Sequence, residues 1–200
     1  MSRISMESNY EIVLDYARSI VSGDKIACVE LRQACQRFLD DLNDSRWEFR
    51  VDRAETAVQL IETRLCHVKA ELRNKPFLLE PWEKFIVYNI AGFFLANTDI
   101  RRFNQAFIFV PRKNGKTSLS AAICFAIALE YVMYASTITI VANRLDRALE
   151  SWNFIRKNLD FLDEAEYWRI IDNNNEHSMS LTFYDNDGQE IGSIRVEALA

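Results

Sequence analysis

An α/β fold is the class that this sequence predicts, with a helical part first and then a parallel sheet flanked by helices. Residues 9–71 repeat apolar side chains every three or four positions, which is the helical period. Beyond them, an apolar strand, a loop and an apolar helix are followed by a β-branched strand and another helix. Strands that alternate with helices pair in parallel through right-handed crossovers. We therefore expect a helical subdomain over residues 1–73 and an incomplete α/β domain over residues 74–200.

Local signals mark the helices of the first part. The apolar pattern of residues 10–21 stops at Gly23, which favours the left-handed conformation found at helix ends. A second pattern covers residues 26–42, and Asp52 with Glu55 three residues later marks the start of a third helix. The mixed charges of these helices are typical of solvated faces, and nothing in them predicts catalysis.

The loop after the first strand of the second part has the features of a phosphate-binding loop. Ala106–Val110 is apolar throughout and is predicted to be a buried strand, and a helix is predicted to begin near Thr117. Gly115 allows the backbone to approach a phosphate, and Lys116 can reach the β- and γ-phosphates. The Thr117 hydroxyl can hold Mg²⁺. This pattern predicts a nucleoside triphosphate as the ligand.

An ordinary structural turn is the alternative interpretation of this loop. The usual pattern has a further glycine five residues before Gly115, where this chain has Val110. A Gly-Lys-Thr tripeptide also arises by chance in turns. The strand before it, the helix after it, and the positive residues Arg112 and Lys113 inside the loop favour phosphate binding.

The segment ahead of this strand is a candidate for a nucleotide base pocket. Pro81 stands at a helix-starting position. The apolar face that follows consists of Trp82, Phe85, Ile86, Ile90 and Phe93. A base pocket needs an apolar wall with a few hydrogen-bonding groups. The same residues also suit a helix core, so both interpretations stay open.

Downstream of the loop the pattern again reads strand, then helix. Ser136–Ala142 is predicted to be a strand, with Asn143 placed to cap the next helix. Phe161–Glu164 resembles the apolar strand ending in Asp-Glu that supplies the metal ligand and base of P-loop ATPases. The run is too short and continues as a helix-like pattern, so we interpret it as a decoy. Residues 179–196 predict a β-hairpin.

Composition favours a globular, intracellular, soluble protein. The net charge of −5 gives no overall electrostatic attraction to nucleic acid. The cysteines, which include Cys66 beside His67, lack C-x-x-C spacing and are interpreted as reduced core residues. We see no signal peptide at the N-terminus. The apolar helix after the loop is too short to span a membrane.

Several of these segments resemble, in the same order, the N-terminal part of the large terminase subunit of tailed double-stranded DNA bacteriophages. The segments that carry the resemblance are Asp15–Gly23, Leu31–Leu42, Lys75–Phe85, Arg101–Phe103 and Val110–Thr117. The last is the most specific, because large terminases have a P-loop without the first glycine and with an arginine ahead of Gly-Lys-Thr/Ser. The resemblance covers most of the chain and implies a partial P-loop NTPase fold of the ASCE type.

The resemblance implies an ATPase motor that uses ATP and Mg²⁺ to move phage DNA into empty procapsids. The implied setting is the host bacterial cytoplasm. The implied partners are double-stranded DNA, the portal protein and the small terminase subunit, and the complete motor is a ring. The complete subunit of the family also has a nuclease domain. An acidic strand and that domain would lie beyond residue 200, so we expect a truncated subunit, an engineered fragment or a decayed gene.

The resemblance also implies roles for individual residues. Lys116 and Arg112 are the expected catalytic residues, with Lys116 stabilising phosphate charge and Arg112 contacting the phosphates or sensing their loss. Thr117 would hold Mg²⁺ through its hydroxyl. The expected nucleotide-binding residues are Pro111, Arg112, Lys113, Asn114, Gly115, Lys116, Thr117, Ser118, Trp82 and Glu83. The family commonly has Gln where this chain has Glu83, and a carboxylate accepts hydrogen bonds but cannot donate them.

Without catalytic carboxylates, we expect the chain to bind nucleotide weakly and to hydrolyse it poorly. Two other functions stay open. One is a different P-loop enzyme, such as a helicase-like ATPase or a kinase, and the other is a non-catalytic module whose helical part mediates assembly. A missing central strand would leave an exposed sheet edge, which predicts self-association or poor solubility.

Overall fold

The computed structural model describes residues 8–200, which form two compact units. The first unit contains the described residues up to Gln59 together with Leu78–Phe107. The second contains Leu60–Phe77 and Ile108–Ala200. Each unit is thus built from two stretches of sequence, whereas the sequence pattern predicts a single boundary between residues 73 and 74.

The first unit is mainly helical. Its elements are α1 (Asn9–Ser22), α2 (Val29–Asp41), β1 (Trp47–Phe49), α3 (Val51–Arg64) as far as Gln59, α4 (Pro81–Gly92) and β2 (Phe93–Leu95). Strands β1 and β2 pair antiparallel. The predicted end signals are confirmed: Gly23 ends α1 with a φ of 88°, and Pro81 occupies the first turn of α4.

Aromatic side chains form the core of the first unit. Phe38 on α2 is fully buried, and its ring contacts Phe49, Phe85 and Phe93 with centroid distances of 5.7, 5.4 and 5.6 Å. All three contacts are edge-to-face, the geometry favoured by the quadrupoles of aromatic rings. Of the residues expected to line a base pocket, Phe85 and Phe93 therefore belong to this core.

The second unit contains a four-stranded sheet with helices. Its elements are α5 (Lys116–Glu130), β3 (Ser136–Val141), α6 (Leu145–Phe161), β4 (Arg169–Asp172), β5 (His177–Tyr184) and β6 (Glu190–Leu199). Short 3-10 turns cover Ala70–Leu72, Val132–Tyr134 and Ala165–Tyr167. The strand order is β3-β6-β5-β4. Strands β3 and β6 are parallel, whereas β5 is antiparallel to both β6 and β4.

The α/β class and the β5–β6 hairpin are therefore confirmed. The predicted parallel sheet is found only in part, because β3 and β6 are parallel whereas β4 and β5 make the sheet mixed. Alternate residues of β6 are buried, among them Ile194 and Val196, while Arg195 between them is exposed. This alternation is typical of a sheet covered on one face. Helices α5 and α6 pack against the sheet and against each other.

The predicted strand Ala106–Val110 is also wrong. This segment has no regular secondary structure, and the residues Phe107 and Phe109 are 90% and 88% exposed. A short apolar run becomes a strand only when a neighbour takes up its backbone hydrogen bonds. In the described sheet β3 is an edge strand that pairs with β6 on one side, and Ala106–Val110 does not pair with its other side.

Two smaller expectations also differ from the structure. The residue preceding the first turn of α6 is Arg144, one position after the predicted cap Asn143. Cys35 is buried, and this burial raises the pKa of its thiol to about 11, but Cys28 and Cys124 are exposed rather than in the core. Within residues 8–200, no helix is long and apolar enough to cross a membrane.

Candidate phosphate-binding site

A cavity of about 640 Å³ lies at the N-terminus of α5, in the second unit. The residues that line it are Arg112, Lys113, Gly115, Lys116, Thr117, Ser118, Asn143 and Arg147. Six of these were expected from the sequence to bind nucleotide. The loop after Val110 and the first turn of α5 therefore form one concave surface, although no strand precedes them.

The backbone of the loop has the conformation that anion-binding loops need. Lys113 and Gly115 both have positive φ, at 71° and 66°, and Asn114 between them does not. Alternation of this kind turns successive N–H groups toward one side and forms an anion-binding nest. The Asn114 side chain donates to the Pro111 carbonyl at 3.2 Å. Asn114 and Pro111 thus shape the loop, while their neighbours line the cavity.

The N-terminus of α5 adds further donors. The first helical hydrogen bond runs from the Leu119 N–H to the Gly115 carbonyl at 2.9 Å. The N–H groups of the three residues before Leu119 have no acceptor within the helix, as in every first turn. The helix dipole gives this end a partial positive charge. Leu119 is fully buried, which anchors the turn that presents these donors.

The side chains of the cavity are strongly positive. Arg112, Lys113, Lys116 and Arg147 line it, and none of the lining residues is acidic. The whole chain carries a net charge of −5, so this concentration of cations runs against the overall balance. Cations, exposed backbone donors and hydroxyl groups together are the groups that bind phosphates.

One wall of the cavity comes from a different part of the second unit. Asn143 and Arg147 follow β3, where the Ala142 N–H donates to the Leu199 carbonyl at 3.3 Å and extends the pairing with β6. From the sequence alone, Asn143 is expected to cap a helix, and no sequence pattern marks Arg147 as a site residue. The signal that points to both is their position after the carboxyl end of a strand, where α/β proteins bind ligands.

The predicted base-recognition residues lie in the first unit. Trp82 is half-buried. Glu83 is 8% exposed and accepts a hydrogen bond from the Glu80 N–H at 2.9 Å, which caps the start of α4. Burial raises the pKa of the Glu83 carboxyl above its ordinary value. The structure therefore gives Glu83 a capping contact within α4.

Asp163 and Glu164, which follow the end of α6, take part in local structure there. Phe161 is the last residue of α6, Asp163 has a positive φ of 54°, and Glu164 forms an ion pair with Arg64. The described residues from 161 to 164 form no strand. In the described part of the chain no three His, Cys, Asp or Glu side chains cluster as metal ligands.

The groups that line the cavity match a polyphosphate, and they offer fewer ligands to a magnesium ion. Four cations and the first turn of α5 match phosphate oxygens. For Mg²⁺ the cavity offers hydroxyl oxygens, including that of Thr117, and Mg²⁺ usually takes its remaining ligands from substrate phosphates, carboxylates and water.

No protein-family model matches the chain, and no curated protein or solved structure matches it significantly.

Proposed function

We propose that this chain binds a nucleoside triphosphate at the loop Pro111–Ser118 and is the ATP-binding part of a terminase-type motor for packaging DNA. The observation that carries the proposal is the cavity of about 640 Å³ that gathers four cations and no carboxylate at the start of α5. An acidic protein has no general reason to build such a surface. A ligand with several negative charges close together supplies one.

Each residue of the loop has a defined task in this proposal. The loop backbone binds phosphate oxygens through its N–H groups, and Lys116 at the first helical position neutralises their charge. Arg112 contacts the phosphates from the other end of the loop. A bound Mg²⁺ contributes charge neutralisation, and the Thr117 hydroxyl is the ligand that this chain offers it.

A nucleotide-binding module without fast hydrolysis is the second candidate function. The specific observation in its favour is that none of the residues lining the cavity is acidic. Phosphoryl transfer in P-loop enzymes uses carboxylates to position the metal and orient the attacking water. We therefore expect the chain to bind phosphates but to turn nucleotide over slowly.

Calorimetric titration with Mg·ATP tests the binding. The unmodified chain is compared with Lys116→Ala and with the control Lys157→Ala, which removes an exposed lysine from α6 of the same unit. We expect Lys116→Ala to weaken binding by at least about tenfold, because it removes a charged contact. Lys157→Ala should bind as the unmodified chain does. Equal affinity for all three proteins would refute the assignment of the loop.

Nucleotide-dependent binding of double-stranded DNA tests the motor assignment separately. Fluorescence anisotropy of a labelled duplex is measured with and without Mg·ATP, for the unmodified chain and for Lys116→Ala. A terminase-type motor should change its DNA affinity with nucleotide, and Lys116→Ala should abolish that change. ATP binding with no effect on DNA would instead support the nucleotide-binding module.

A further inference from the structure

We propose that Arg147 and Asn143 form a second phosphate-binding wall, and that this wall makes the site select polyphosphates by chain length. The inference rests on the proposed function of the loop. It assigns to the β3–α6 junction the task of contacting the end of the phosphate chain that lies away from the loop. The loop alone then binds a single phosphate group, and both walls together bind a triphosphate.

The two walls belong to separate segments of the chain. The loop wall comes from residues 112–118 and the second wall from Asn143 and Arg147. The packing of α5 on α6 brings the segments together, and β3 lies against both helices. A small anion satisfied by the loop N–H groups has no need of the second wall. A longer polyanion can contact both.

Charge on the second wall comes from Arg147, and its environment leaves that charge available. Its backbone N–H donates to the Arg144 carbonyl at 3.0 Å, so the residue is fixed in the first turn of α6. Its guanidinium lies 3.9 Å from the Glu150 carboxylate, beyond hydrogen-bonding distance, and its side chain is 65% exposed. A guanidinium in this state can form a bidentate contact with a phosphate.

Arg144 provides a natural comparison at the same junction. It precedes α6, it does not line the cavity, and its Nε donates to the Asp146 carboxylate at 3.0 Å. The two arginines therefore contribute the same charge within three residues of each other. Only Arg147 should contribute to binding of the phosphate chain.

The test uses inorganic phosphate, pyrophosphate and tripolyphosphate as probes, with affinities measured by calorimetry on the full chain. The variants are Arg147→Ala, Arg147→Lys, Arg144→Ala and Lys116→Ala. We expect Arg147→Ala to weaken tripolyphosphate binding about tenfold, which corresponds to one lost charged contact at an exposed position, and to change phosphate affinity by less than about twofold. Arg147→Lys should weaken tripolyphosphate binding less than Arg147→Ala does, and Arg144→Ala should leave it unchanged.

The outcomes separate this inference from the function on which it rests. Suppose that Lys116→Ala weakens the binding of every probe. If Arg147→Ala then weakens the binding of phosphate and of tripolyphosphate by the same factor, or of neither, the second wall is refuted while the loop assignment stands. If Arg144→Ala weakens tripolyphosphate binding as much as Arg147→Ala does, the loss reflects the overall positive charge of the region, which also overturns the inference. Affinity for a labelled DNA duplex is measured for the same variants by fluorescence anisotropy. If Arg147→Ala lowers that affinity and leaves tripolyphosphate binding unchanged, Arg147 binds nucleic acid and the inference is overturned. If no probe binds the unmodified chain, the proposed function itself fails.

Discussion

Asn158 on α6 forms two hydrogen bonds with the backbone of Cys66. Its side-chain oxygen accepts from the Cys66 N–H at 2.7 Å, and its side-chain nitrogen donates to the Cys66 carbonyl at 3.3 Å. The same nitrogen donates to the Phe154 carbonyl at 2.9 Å. Asn158 is fully buried. One amide group therefore holds the chain around residue 66 against α6 inside the second unit.

Replacing Asn158 with alanine should destabilise the second unit. The change leaves the buried N–H and carbonyl of Cys66 without these partners and opens a small cavity, and each effect costs free energy. We expect a loss of about 2–4 kcal/mol in the free energy of unfolding, measured by urea denaturation. Asn153→Ala, at an exposed position of the same helix, should change it by less than about 0.5 kcal/mol. Equal midpoints for both variants would contradict the role of Asn158.

Gly192→Ala should also destabilise the second unit, through overpacking. A Cβ at this position of β6 would lie 2.6 Å from the Val132 carbonyl oxygen and 2.8 Å from the Met133 Cα. Both atoms are backbone, so the strand or the 3-10 turn must move. We expect a cost of about 1–3 kcal/mol in thermal or urea unfolding. Ser193→Ala in the same strand is the control, and a similar cost for both would show that contact with the turn is unimportant.

The stability of the first unit should depend on pH through Glu83. Burial raises the pKa of this carboxyl in the folded protein, so its protonated form favours folding. That contribution is fully present below the unfolded pKa and is lost as the pH rises through the folded pKa. Glu83→Gln keeps an oxygen to accept from the Glu80 N–H but carries no charge. We expect it to stabilise the protein more at about pH 7 than at about pH 4.

Urea unfolding of the first unit at the two pH values measures this difference. Asp15→Asn serves as the control, because it removes a carboxylate from an exposed position of α1. A surface ion pair is worth little, so this control should change stability slightly at both pH values. A stability difference for Glu83→Gln that is the same at both pH values would show that the buried charge has no cost.

The features that the sequence predicts correctly are those encoded locally. Gly23 ends a helix because of its own backbone freedom, and Pro81 starts one because its fixed φ suits the first turn. The Ala106–Val110 segment fails as a strand because a strand also needs a neighbour. Arg147 reaches the cavity only through the packing of two helices. Its place in the site is not visible in the spacing of residues.

Alanine substitution at Gly115 of the loop, compared with the same substitution at Gly188, separates an effect on folding stability from an effect on phosphate binding. Gly115 and Gly188 both have positive φ, at 66° and 78°, and a Cβ at either position would meet no atom within 4 Å. Alanine at either site therefore carries the same backbone strain, about 1–2 kcal/mol, without a steric clash. Gly115 lines the cavity, whereas Gly188 lies in the turn between β5 and β6.

We expect Gly115→Ala and Gly188→Ala to lower the free energy of unfolding by similar amounts, because the strain is the same. Mg·ATP binding, measured by calorimetry, should differ between them. Gly115→Ala should weaken it by about tenfold or more, because the strained loop turns its N–H groups away from the phosphates. Gly188→Ala should bind normally. Equal losses of affinity in both variants would mean that binding follows global stability, and the loop would then have no specific role in holding phosphate.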